Sequence, residues 1–155
     1  MKNLLLTLLT VVSFTAFGQY MENENSFSKT YQTVRGWKSV EGEWMYDDRA
    51  LKEWQFIFNV DFFSSPSGRE MYGAMMIDDQ GVPQYFFNYL GDIRESEDEY
   101  GEYGAYRVDV LSKDDETGKW DLWTQGFLKY YGYSTMFYMG TPPYNYYFSY
   151  FEPKE

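Results

Sequence analysis

The sequence predicts an all-β fold, an antiparallel sheet of about eight strands rolled into an up-and-down barrel or, alternatively, packed as a β-sandwich. Three observations lead there. Apolar residues alternate with period two in several segments, most cleanly in Trp54–Phe63. Short runs of Asp, Gly, Ser and Pro separate these segments. No stretch sustains a 3.6-residue apolar period, apart from short turns around Asn25–Thr33 and Asp48–Lys52.

Taken in order, Val40–Tyr46 opens the first strand. Trp54–Phe63 (WQFIFNVDFF) then sets Trp54, Phe56, Phe58, Val60 and Phe62 on one face, against Gln55, Asn59 and Asp61. Glu70–Ile77 alternates less cleanly, and Gly73 at its middle predicts a bend or the close approach of another backbone. Gln84–Leu90 carries Tyr85, Phe87 and Tyr89 on one side. Ala105–Leu111 sets Tyr106, Val108 and Val110 against Arg107 and Asp109, a same-face pair expected to form a surface ion pair of small worth. Trp120–Trp123, Phe127–Tyr133, Thr135–Met139 and Tyr144–Phe151 complete the set.

The connections carry their own chemistry. Asp78–Gly81 and Lys113–Gly118 supply Asp for side-chain turns and Gly for a positive φ. Ser64–Gly68 reads as a longer hairpin loop and Thr141-Pro142-Pro143 as a stiff corner. Arg94–Glu102 (RESEDEYGE) is the most polar stretch and reads as a solvated loop. It departs from the EF-hand pattern, and no metal site is expected there or elsewhere.

Ahead of these strands, Met1–Gln19 has one Lys, an apolar core from Leu4 to Phe17 and small residues near its end. That is the layout of a secretory signal, and it is too short for a membrane span, which needs about 20 apolar residues. The expected organisation is a signal at 1–19, a lead segment at 20–39 and one β domain at 40–155. The expected location is periplasmic or extracellular.

Gly42-x-Trp44, in Val40-Glu41-Gly42-Glu43-Trp44-Met45-Tyr46, resembles the first-strand signature of lipocalins and of the shorter bacterial lipocalin-like proteins. The resemblance implies an antiparallel eight-stranded barrel in which Trp44 plugs the closed end and Gly42 permits close packing beneath it. It departs from the family in one respect. The family sets an Arg from its last strands over the Trp, and here no Arg follows Arg107, leaving Lys129 or Lys154 for that place.

Composition removes whole classes of chemistry. The 155 residues contain no His and no Cys. There is therefore no Ser-His-Asp or Cys-His catalytic pair, no Cys/His zinc site, no haem held through those ligands and no disulfide. A net charge of −11 disfavours nucleic acid and anionic membranes. No cofactor is implied. Asp61 and Asp109 are mid-strand carboxylates, but a pair across a cleft is needed for glycosidic chemistry, and alternation turns both outward. The expectation is a protein that is not an enzyme.

The informative excess is aromatic: 17 Tyr, 13 Phe and 5 Trp. Two function classes follow. The first is a carrier of a small apolar or amphipathic ligand, with Trp54, Phe56, Phe58, Tyr85, Phe87, Tyr106 and Phe148 as the binding wall and Trp44 inward with them. The second is a recognition module for a glycan or protein partner, with Trp120, Trp123, Tyr144 and Tyr146 as a flat platform. A non-catalytic cell-envelope component is a third. Simple core packing is the plain reading of the same aromatic faces.

Overall fold

The structure is a computed structural model that describes residues 19–48, 51–64, 69–132, 134–141 and 145–153, with 19, 64, 138–141 and 145–150 described by their backbone alone. The segment expected as an export signal, 1–19, therefore lies outside the described residues except for Gln19. So do most of the loop read at Ser64–Gly68, the prolines of the Thr141-Pro142-Pro143 corner, Tyr144 and Lys154.

Every regular element among the described residues is a β-strand. They are β1 (Gln19–Met21), β2 (Phe27–Val40), β3 (Glu43–Tyr46), β4 (Glu53–Ser64), β5 (Arg69–Ile77) and β6 (Pro83–Tyr89), followed by β7 (Arg94–Asp98), β8 (Gly101–Lys113), β9 (Trp120–Tyr130), β10 (Thr135–Thr141) and β11 (Asn145–Pro153). All pairings are antiparallel. Eight strands close a hydrogen-bonded ring in the order β2-β4-β5-β6-β8-β9-β10-β11, and β11 returns to β2. The closing strand is β2, which pairs with β4 through Phe27–Gln32 and with β11 through Tyr31–Lys38.

The segment read as a lead, 20–39, thus supplies most of a ring strand, and the turn expected around Asn25–Thr33 is largely extended. Its sequence, FSKTYQTVRGWKSV, hides this because its first four residues are exposed on both faces. The remaining strands extend the ring. β1 continues the edge of β4 beyond β2, pairing with Asp61–Phe63. β7 does the same for β8 beyond β6, pairing with Gly101–Ala105. The acidic stretch expected as a loop is therefore a hairpin, turning through Glu99 and Tyr100 with Gly101 at a φ of 112°.

One residue changes the reading of β4. Between Ile57 and Val60 the pairing to β5 slips, because β4 advances three positions while β5 advances two, from Met75 to Gly73. Asn59, at a φ of 58°, is the extra residue of a β-bulge. Asn tolerates the left-handed region better than most residues. The β1–β2 turn holds it: Ser26 Oγ and Asn23 Nδ2 donate to the Asn59 carbonyl at 2.7 and 3.0 Å, and Asn59 Nδ2 donates to the Asn25 carbonyl at 3.1 Å. The bulge inverts alternation beyond it, so the single apolar face expected from Trp54 to Phe62 is split.

Two apolar clusters result. Tyr31, Phe56, Phe58, Ala74, Met76, Phe87, Val108, Val110, Leu128, Phe137 and Phe151 come from all eight ring strands, which places them inside. Ile57, Val60, Phe62, Met71, Met75, Ile77, Phe86, Leu111 and Trp120 come only from β4, β5, β6, β8 and β9 and occupy the opposite face. The outward faces of β4–β6 are thus apolar, whereas polar residues were expected there. At Gly73 the expected close approach is found: a Cβ there would overlap the Phe87 carbonyl oxygen across the β5–β6 pair.

Candidate functional site

The ring interior divides into a packed middle and two different ends. In the middle, Phe56 stacks on Phe58 (centroids 5.6 Å) and Phe87 (6.1 Å) and meets the edge of Phe151 at 5.3 Å; Phe87 lies 4.5 Å from Phe137. Phe56, Phe58 and Phe87 are 0% exposed. Three of the seven expected wall residues are therefore core, with no surface left for a ligand.

Trp54 and Tyr85 sit at one end, half-buried, with ring centroids 6.3 Å apart and Trp123 a further 5.5 Å from Tyr85. All five tryptophans come from strand segments at this end, Trp37 late in β2, Trp44 in β3, Trp54 early in β4, and Trp120 and Trp123 early in β9, although the Trp120 ring turns outward and meets Phe62 at 5.2 Å. The platform reading is separated by the fold. Trp120 is buried in the outward cluster, and Trp123 packs against the inward one. Tyr146 pairs with Gly140 by its backbone.

Trp44, expected as a plug, lies on β3 outside the ring with half its surface exposed. The cause is local. Glu41 and Gly42 both take positive φ (53° and 86°), the geometry of a tight two-residue hairpin turn, so Gly42 serves the turn and β3 folds back on β2. Phe148 pairs with Trp37 and Tyr138 through its backbone, and its side chain is outside those described.

Tyr106, the last expected wall residue, belongs to the other end, where tyrosines collect. It stacks on Tyr89 with centroids 3.9 Å apart and planes within 3°, and it meets Tyr130 edge-on at 6.0 Å. Tyr72 meets Tyr89 edge-on at 5.7 Å. The Tyr89 and Tyr130 hydroxyls are 2.9 Å apart, and the Asn59 backbone also hydrogen-bonds Tyr89. Beyond the bulge, Asp61 pairs with Tyr72 in register and bears on it electrostatically, instead of facing away as expected.

Against this end lies a recess of about 620 Å³, lined by Ile93, Glu95, Glu97, Glu102, Gly104 and Tyr130 together with Ser96 and Tyr103. Register explains the set. Glu95 pairs with Gly104, Glu97 with Glu102, and Gly104 with Tyr130 on its other side, so these residues share the face that continues into the ring. Gly104 leaves room for the Ile93 side chain, which a Cβ there would strike.

The opposite face of the hairpin is fastened down. Asp98 Oδ2 accepts from Lys129 Nζ at 3.1 Å and from the Tyr131 hydroxyl at 2.7 Å, and Lys129 lies 4.2 Å from the Tyr103 ring centroid. Desolvation opposes ionisation of Asp98, but the bonds from Tyr131, the Tyr100 amide and Lys129 hold its carboxyl below the usual range. Lys129, considered for a place over Trp44, is thus engaged here. Asp109 accepts from Gln125 Nε2 at 2.7 Å, a cross-strand partner in place of the expected Arg107. Among the described residues no group of three acidic side chains is placed to hold a metal ion.

Burial pushes the Tyr130 hydroxyl well above its usual value of 10.0, and the neighbouring Tyr89 adds to this. Burial likewise raises Tyr89, Tyr106 and Tyr72, the last two with help from Asp92 and Asp61 respectively. A folded-state pKa above the unfolded one stabilises fully below the unfolded value and loses that contribution as pH rises past it. In an alkaline titration Tyr89 and Tyr130 should therefore ionise only as near-ultraviolet circular dichroism collapses at high pH. A single tyrosinate transition with the fold intact would contradict this packing.

Sequence reasoning missed the recess because it took Arg94–Glu102 for a loop. The alternation Glu95, Glu97 on one side and Arg94, Ser96, Asp98 on the other was the available signal. No protein-family model matches the sequence, and no curated protein or solved structure matches it significantly.

Proposed function

We propose that this chain is an exported, non-catalytic, lipocalin-like barrel that binds a small amphipathic molecule at its tyrosine end. The observation that carries the reading is the recess of about 620 Å³ that meets the inward tyrosines through Tyr130, a size in the range of small-molecule sites. The closed eight-strand ring supports the barrel reading, since ring closure removes sheet edges. With the middle filled by Phe56, Phe58 and Phe87, the ligand belongs at the end and not along the axis.

The test is native mass spectrometry of protein recovered from its own cells. The expected result is an adduct of small-molecule mass that organic solvent releases. In a Glu97→Trp variant, where the indole replaces an exposed side chain that lines the recess, the adduct should vanish while circular dichroism is unchanged. An adduct that survives in the folded variant would place the ligand elsewhere. Protein that carries none, and takes up none when exposed to an extract of those cells, would overturn the reading.

A further inference from the structure

We infer that the outward apolar face formed by β4, β5, β6, β8 and β9 is the docking surface of the chain's own apolar leader, Leu4–Phe17. This surface is on the outside of the ring, and the reading does not depend on the binding site proposed at the tyrosine end. The starting point is deep burial on the outer side of a sheet. Val60, Phe62 and Phe86 point away from the ring interior yet are 0% exposed, and Met75 is 1% exposed. The outer face of a closed ring has no second layer of its own, so side chains there should stay partly open to solvent. Two outward residues later in β9 show this. Leu122, which pairs with Leu111, is 62% exposed, and Phe127, next to the inward Leu128, is 44% exposed. Something therefore lies over the cluster and stops short of these two.

The cover follows from elimination and from where the chain enters the sheet. Among the described residues Tyr20 of β1 packs against the cluster, and one ring cannot shield nine side chains. The segments outside the described residues are 1–18, 49–50, 65–68, 133, 142–144 and 154–155. Three of them read Arg-Ala, Ser-Pro-Ser-Gly and Lys-Glu, without a large apolar side chain. Tyr133, 142–144 and the side chains of 138–141 and 145–150 belong to or border β10 and β11, which contribute nothing to the cluster. Leu4–Phe17 brings five Leu, two Val and two Phe. It also arrives in the right place: β1 sets Tyr20 opposite Phe62, so the leader joins the ring at the margin of the cluster. Its 14 residues span about 21 Å even at the compact α-helical rise of about 1.5 Å each. The five strands, about 4.8 Å apart, are about 19 Å across. While attached, the leader shields an apolar surface that its removal uncovers.

The test is photo-crosslinking of the uncut full chain, made in a cell-free system without signal peptidase and carrying benzoylphenylalanine at Leu6, Leu8, Leu9 or Val11 in turn. These four positions point in different directions in a helix or a strand, so at least one meets the surface. Irradiation should give a product of single-chain mass, attached at Met71, Met75, Phe86 or Leu111. A Leu5→Asp, Leu9→Asp, Val12→Asp variant leaves the ring residues unchanged. It should bind anilinonaphthalene sulfonate with severalfold brighter fluorescence than the parent, at the same far-ultraviolet circular dichroism. Products of twice the chain mass would assign the face to a second copy and overturn the inference. So would attachment only outside the cluster, no attachment from any of the four positions, or dye fluorescence that the variant leaves unchanged.

Discussion

Asn59→Val should destabilise the fold by about 2–3 kcal/mol, read as a shift in the urea midpoint. The residue is one of five polar side chains in β4, and as the extra residue of the bulge it holds a φ of 58°, which a β-branched side chain adopts only under strain. Flattening the bulge with residue 59 retained is no escape, because Val60 and Phe62, both 0% exposed, would rotate to the inward face and Asp61 would enter the outward apolar cluster. Each displaced apolar side chain forfeits roughly 1.5–3 kcal/mol, and an unpaired carboxylate in apolar surroundings costs several more. That total approaches the whole stability of a domain, about 5–15 kcal/mol, so the strain stays at residue 59. Asn59→Gly is the companion. Glycine adopts the same φ readily, so only the side-chain bond to the Asn25 carbonyl is lost and the change should stay within about 1 kcal/mol. A valine variant as stable as the glycine variant would refute the bulge.

Phe56→Ala should cost about 3–5 kcal/mol, read as a shift in the urea midpoint at constant slope. The ring is fully buried and packed between Phe58, Phe87 and Phe151. The number decides what the aromatic excess is for. Were Phe56 the wall of an open internal pocket, its removal would enlarge existing space and cost little, under about 1 kcal/mol. Tyr85, half-buried at the tryptophan end, should lose much less than Phe56 on the same substitution. Equal losses would mean that the middle of the ring is no better packed than its rim.

What the sequence revealed depended on whether a single burial pattern governed a segment. Trp54, Phe56 and Phe58 were legible as one face because alternation runs unbroken up to the bulge at Asn59. Gly73 was legible because a glycine in mid-strand has few other uses. Asp78 behaved as expected, its carboxylate accepting from the Gln80 and Val82 amides at 3.0 and 2.8 Å while Gly81 takes a φ of 79°. Asn59 was not legible, since a bulge is a property of two strands and only one of them is local. Most of β2 was missed for the opposite reason: its first residues are exposed on both faces, and its two partners, β4 and β11, are remote in the chain. The same holds for the site. Tyr106 was named but assigned to a wall with Trp54 and Tyr85, which lie at the other end. Glu95, Glu97 and Glu102 looked like a solvated run because a hairpin that projects past its ring buries neither face.

The separation of tryptophans from tyrosines makes the central claim directly measurable. In a nuclear magnetic resonance titration with the small molecule released from the purified protein, the ring signals of Tyr106 and Tyr130 and the amides of Glu97 and Glu102 should shift, while the indole N–H signals of Trp54 and Trp123 stay in place. Shifts confined to the indoles of Trp54 and Trp123, with those tyrosine and hairpin signals unmoved, would put the site at the opposite end of the ring and contradict the account.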